Sequence, residues 1–275
     1  MAFGGENAES YYDDGLTLAM KGELTKALQC FEKAIRLDRK YLAAYHQLGK
    51  TYARLGDYDK AVHLLHEVLN RKPNLVPARL DYGYALLGAG RPQEARQQFE
   101  QLTTLDPANT RANLALGHAL FHLKDWNGAM AQAQSALQES GNNLSALFLQ
   151  GRAASLAGNQ QLSGEALERA DKLIEKSSEL TPDQPENHYL RGEVAFARDQ
   201  FGSALEHYRA AEDRAREGQF YGAFGENFTL ASILGKQGLC YQRLGKHDRA
   251  REIGVNIVKR WPDDALGQAL AKSEP

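Results

Sequence analysis

The chain has 275 residues, 43% hydrophobic and 25% charged, with a formal net charge of −2. That composition excludes a disordered chain and gives no global attraction to nucleic acid or to an anionic membrane. No window approaches the ~18 consecutive apolar residues that crossing a bilayer requires.

Residues 1–7 carry no basic stretch followed by an apolar run, so no export signal is visible. The start reads as a disordered terminus and the expected location is cytoplasmic, or periplasmic or membrane-associated if a signal or anchor has been removed. From residue 8 a unit recurs. Gly15, Gly49, Gly83, Gly117 and Gly151 stand 34 residues apart, and Ala27, Ala61, Ala95 and Ala129 follow the first four by twelve. Phe31, Leu65, Phe99 and Ala133 lie four positions further on, and Ala34, Val68, Leu102 and Ala136 seven positions further on. This is the spacing of one helix face. Pro73 and Pro107 sit where a helix should stop. Each unit therefore predicts two helices, with Gly56, Gly90 and Gly245 at the reversal between them. Asp38, Asp106-Pro107 and Pro182-Asp183 mark the turns between units.

The expected units are 8–41, 42–75, 76–109, 110–143, 144–184, 185–230 and 231–264. In the fifth, the charged helix over 164–180 is about two turns longer than its counterparts. The sixth keeps Gly192, Ala204, Tyr208 and Ala211, then runs into a stretch over 217–228 with three glycines and four aromatics. This reads as a docking loop. Its aromatics either fill a gap between imperfectly stacked units, or fold over the inner groove or contact a partner. The seventh unit has Gly238, Ala250, Ile257 and Pro262, and 265–272 predicts a short capping helix with Ala265, Leu266, Ala269 and Leu270 as its apolar face. Cys30 and Cys240 each fall inside a helix, far apart, and read as small core residues rather than as a disulfide.

Tyr45, Leu48, Gly49, Tyr52, Ala61 and Pro73 follow a pattern of aromatic, Leu-Gly, Tyr, Ala and Pro. On these residues the chain resembles the tetratricopeptide repeat, a 34-residue helix-turn-helix unit. The resemblance implies an all-α fold: a right-handed superhelical solenoid of about seven repeats plus the C-terminal capping helix, as a single domain over 8–275. In that family the first helices of successive repeats line the concave face. Carried onto this chain, the partner-binding residues are Tyr12 in the first repeat and His46, Lys50 and Arg54 in the second. Leu80 and Tyr84 follow in the third, and Arg111, Leu114, His118 and Phe121 in the fourth. Phe148 and Arg152 come from the fifth, Tyr189 and Phe196 from the sixth. So apolar a wall implies that a partner, or the chain's own segments, cover it. The Lys, Asn and Arg clamp with which related repeats hold acidic chaperone tails is absent, because the corresponding positions read Tyr12 and Leu16, then Gln47, then Pro77 and Asp81.

The chain has no phosphate-cradling glycine loop, no Gly-x-Ser-x-Gly and no paired-cysteine zinc motif. His118 and His122 are four apart and His63 and His66 three apart, but a zinc site needs three or four ligands. The first pair is expected to make polar contacts in the groove and the second to lie on a solvated outer face, with metal binding as the alternative. The expected function is a non-catalytic scaffold or adaptor that binds a peptide or helix of a partner protein in the concave groove, as an assembly factor of bacterial type. No cofactor, no metal, no nucleic acid and no direct membrane insertion are expected. Two alternatives stand beside it: a self-assembling homo-oligomer held by terminus-in-groove contacts, and an enzyme or metal-binding protein.

Overall fold

Helices dominate residues 7–224 and 226–273, the part of the chain that the computed structural model describes. Among these residues the chain forms two compact units, one up to Glu139 and one from Ser140. The first holds four helix pairs: α1 (Ala8–Met20) with α2 (Leu24–Leu37), α3 (Leu42–Arg54) with α4 (Tyr58–Arg71), α5 (Val76–Gly88) with α6 (Pro92–Leu105), and α7 (Thr110–His122) with α8 (Trp126–Glu139). The second holds α9 (Leu144–Leu156) with α10 (Gln160–Leu180), α11 (Pro185–Ala197) with α12 (Phe201–Glu212), α13 (Leu230–Arg243) with α14 (His247–Arg260), and the terminal α15 (Ala265–Ala271). A ribbon of two three-residue strands, β1 (Tyr221–Ala223) and β2 (Glu226–Phe228), stands between α12 and α13. No helix among the described residues is long and apolar enough to cross a membrane.

The recurring glycines are sites of close approach. A Cβ built on Gly15 would lie 2.5 Å from the Phe31 ring, one on Gly151 2.6 Å from Leu167, and one on Gly192 2.6 Å from the Tyr208 ring. At Gly83 the obstructing ring is that of Phe99. The large side chain comes sixteen residues later each time, from the second helix of the pair. It is fully buried at Phe31, Leu65, Phe99, Leu167 and Tyr208, each contributing about 1.5–3 kcal/mol of transfer free energy.

The seventh pair breaks the rule, because the residue sixteen after Gly238 is Gly254. The notch is filled instead by the cap, since Leu270 of α15 lies 2.5 Å from where a Gly238 Cβ would be. Gly254 has no side chain because the backbone at Leu270 and Ala271 passes through that space. The cap's packing face therefore differs from the expected one. Leu266, Gly267 and Leu270 pack inward, while Ala265 and Ala269 are exposed. Asp264 caps α15 by accepting from Gly267 N at 2.7 Å.

Three boundaries also differ from expectation. Asn7 is ordered rather than part of a loose terminus, because its side chain accepts from Ser10 N at 2.8 Å and caps α1; the rest of the expected disordered start lies outside the described residues. The long second helix of the fifth pair begins at Gln160, not at 164, because Asn159 caps it there. At 21 residues against 14 for α2, α4, α6, α8 and α14, it is two turns longer. The aromatic stretch is a hairpin rather than a loop, with Tyr221 opposite Phe228 and Ala223 opposite Glu226. Cys240 is buried, and burial pushes its thiol up to about 12; Cys30 is half-buried and also unpaired.

Within five of the pairs the reversal uses a glycine with positive φ: Gly22, Gly56, Gly90, Gly158 and Gly245. Lys124 (φ 63°) and Asp199 (φ 58°) occupy the same turn in the fourth and sixth pairs. A side chain in the left-handed region costs roughly 1–2 kcal/mol, partly offset by the greater chain entropy glycine loses on folding. Lys124→Gly is therefore expected to stabilise the first unit by about 0.5–1 kcal/mol. A higher urea midpoint at unchanged slope would show it, and a lower midpoint would contradict it.

Candidate functional site on the first helices

In the first unit, α1, α3, α5 and α7 are successive neighbours along one side. The residues expected to form a grip there have mostly acquired partners within the unit. Tyr12 is half-buried, its ring centroid 6.0 Å from Phe31 and 5.0 Å from Tyr41. Arg54 donates from Nη1 to Ala19 O at 3.0 Å, placing a cation on one of the last carbonyls of α1, where the helix dipole favours it. Leu80 and Leu114 are buried, 3% and 9% exposed. Both belong to the core of the unit.

A polar bridge joins α3 to α5. His46 Nε2 lies 2.7 Å from Asp81 Oδ2, and Lys50 Nζ lies 3.7 Å from the same oxygen. The Lys50 side chain is 42% exposed, so its charge faces solvent as well as Asp81. Beyond the bridge on α5, the half-buried Tyr84 ring stands 5.4 Å from Phe99. Arg111, in the first turn of α7, is exposed. Further along α7, Phe121 meets Trp126 edge-on at 5.0 Å and the His122 ring at 6.5 Å. His118 is half-buried and His122 exposed. No group of three or more His, Cys, Asp or Glu side chains that would suit a metal ion occurs among the described residues. A cleft of about 600 Å³ lined by Pro73, Val76, Arg79, Gln101 and Leu105 also opens on this unit, and it includes none of the residues expected on the inner wall.

In the second unit the hairpin occupies the corresponding side. Strand β1 packs on α11 and β2 on α13. Phe228 stacks on Tyr189 at 3.8 Å with ring planes 6° apart, and Phe224 stacks on Phe148 at 3.7 Å and 5°. Phe148 and Tyr189 are consequently buried, 4% and 7% exposed, instead of forming an open apolar wall. The Arg152 guanidinium lies 5.4 Å from the centre of the Phe148 ring. At the far end of α11, Phe196 is half-buried, edge-on to Phe201 at 5.2 Å, with Lys236 Nζ 5.8 Å from its ring centre. The hairpin's base is tied by Tyr221, whose hydroxyl accepts from Arg216 N at 2.8 Å and donates to Gln219 Oε1 at 3.2 Å. Its tip is strained. Phe224 has φ 51°, a conformation that costs an L residue roughly 1–2 kcal/mol.

Beside the hairpin lies a charged network whose cation the repeat pattern did not reveal. Lys236 Nζ lies 2.7 Å from Glu193 Oε1 and 2.9 Å from Oε2, and the Tyr208 hydroxyl donates to Oε1 at 2.6 Å. Burial, and secondarily the Glu193 charge, push the Tyr208 phenol well above its ordinary range. That phenol therefore stays protonated and remains a donor. Only the position of Lys236 on a first helix, facing an acid on the preceding one, carried a hint of this pair.

Residues 15–56 match a family model described as TPR repeat, and residues 46–99, 80–144 and 152–219 match one described as Tetratricopeptide repeat, more than half of the chain. The chain is 32% identical over 99 residues to the human Protein O-mannosyl-transferase TMTC2, covering 35% of this chain and 12% of that protein. It is 30% identical over 115 residues to the Photosystem I assembly protein Ycf3 of Acaryochloris marina, covering 40% and 64%. The chain thus spans less than two thirds of the length of these relatives. A solved structure of a tetratricopeptide repeat protein from Parabacteroides merdae superposes with a TM-score of 0.63 over 98% of both chains at 14% identity, a likeness of fold.

Proposed function

The chain belongs to the tetratricopeptide repeat family, and on that premise we propose that it is a non-catalytic adaptor whose first unit holds a segment of a partner protein against α3, α5 and α7. One observation carries this reading: Lys50 and Arg111 present exposed cationic groups on α3 and α7 with the Tyr84 ring on the intervening helix. A half-buried aromatic ring on α5 with exposed cations on the helices to either side suits a segment that pairs an apolar side chain with carboxylates. The His46–Asp81–Lys50 bridge pre-orients this side by linking two helices, so little ordering is left to binding. A role in assembling a larger complex would parallel that of the similar Photosystem I assembly protein Ycf3.

The test compares recovery of one identified partner by the intact chain and by its variants. Tyr84→Ala and the pair Lys50→Glu with Arg111→Glu are each expected to lower recovery at least tenfold, about 1.4 kcal/mol or more. Arg96→Glu, on the second helix α6, is expected to leave it unchanged. Equal recovery by the correctly folded Tyr84 and Lys50/Arg111 variants would remove the first unit's inner side as the site.

A further inference from the structure

The second unit carries an occupied surface whose occupant belongs to the chain itself. Two three-residue strands do not make a stable hairpin alone, so this ribbon keeps its shape through what it touches. Its two principal anchors are aromatic rings laid flat on aromatic rings of the first helices: Phe224 on Phe148 of α9 and Phe228 on Tyr189 of α11. In both pairs the rings are nearly parallel, with centroids 3.7 Å and 3.8 Å apart. Phe224, stacked on Phe148, has a left-handed backbone at φ 51°, an outlier for a bulky residue. Such strain persists only when the surroundings impose it, and it is concentrated at clamps and switch regions.

We propose that the inner side of the second unit is a recognition surface for a partner segment bearing two aromatic side chains, and that the hairpin fills it as a stand-in ligand when the partner is absent. The receiving groups are the faces of Phe148 and Tyr189, with the Arg152 guanidinium beside the first ring. An incoming segment without a left-handed residue at its tip displaces the hairpin by making the same burial with less strain. The chemistry of the occupant is read from the self-ligand: two aromatics four residues apart with a glycine between them. The site lies within the second unit and is independent of the first unit's partner reading.

A fluorescein-labelled peptide with the sequence of residues 217–229 serves as the probe, titrated by anisotropy against the full chain. The variant Phe224→Asn removes one ring while keeping a residue that tolerates the left-handed turn. It is expected to bind the probe at least tenfold tighter than the unaltered chain, and adding Phe148→Ala is expected to abolish that gain. A control peptide with serine at its positions 224 and 228 is expected not to bind. In the unaltered chain, saturating probe is expected to speed hydrogen exchange of the amides in β1 and β2. Equal affinity for the unaltered chain and Phe224→Asn, or bound probe with unchanged hairpin protection, overturns the proposal. A concentration-dependent dimer of Phe224→Asn that excludes the probe also overturns it, by assigning the surface to the hairpin of a second copy.

Discussion

Leu270→Ala is expected to destabilise the second unit by about 3 kcal/mol and to release its last helix, the larger share of the effect coming from one unfilled notch. At Gly15, Gly49, Gly83, Gly151 and Gly192 the abutting side chain is on the second helix of the same pair, whereas at Gly238 it is Leu270 from outside the pair. Leu270 is 1% exposed and clusters with Ala250 and Ile257, and truncating a buried leucine costs about 2–5 kcal/mol depending on how far the site collapses. Collapse is limited here because both walls of the notch are helix backbone. Gly254→Leu is expected to reach the same endpoint by collision, since the obstructing atoms are backbone at Leu270 and Ala271, which cannot swing aside. The bonds from Arg251 Nε and Nη2 to Ser273 O, at 3.2 and 3.1 Å, would be lost with the helix. Denaturation midpoints give the energy, and hydrogen exchange over α15 gives the release. A Leu270→Ala protein within about 0.5 kcal/mol of the parent, the usual range for surface changes, or a Gly254→Leu protein with α15 still protected, would refute this assignment.

Lys236→Met is expected to cost about 3 kcal/mol, and Lys236→Met combined with Glu193→Gln to recover most of it. The Glu193 side chain is 9% exposed and the Lys236 side chain 25%. Removing one partner of a buried pair leaves an uncompensated charge, which costs about 3–5 kcal/mol, and the partial exposure of Lys236 places this case at the lower end. The amide of glutamine keeps an acceptor for the Tyr208 hydroxyl while removing the orphaned charge. The double-mutant cycle then reads the coupling directly. A single variant as stable as the parent, or a double variant no better than the single, would show that the pair does not act as a unit.

The fold was legible because its chief constraint is local and recurs. Gly15, Gly83, Gly151 and Gly192 each face a large residue at one fixed separation, so the spacing encodes which helices pair. The same signal found the cap but misjudged its face. Ala269 fits an apolar stripe, yet the seventh pair lacks its own filler at Gly254 and draws Leu270 and Gly267 inward instead. The aromatic content of 217–228 marked a docking segment, while its strands were hidden by glycines that weaken any strand pattern. The inner wall was the least legible. Arg54 and Lys50 are both cations in one helix turn, yet Arg54 is spent on a carbonyl of α1 and Lys50 faces solvent beside Asp81. That division depends on neighbours contributed by other helices.

By itself the sequence determined the helix pairs, their order and their turns, because backbone close approach admits only small residues and the 34-residue interval states where those approaches occur. Only the tertiary structure decided which apolar side chains of the first helices are buried and which stay exposed. Burial is a property of what arrives from elsewhere in the chain: Phe148 and Tyr189 are covered by a hairpin from beyond α12, and the notch at Gly238 is closed by a residue from beyond α14.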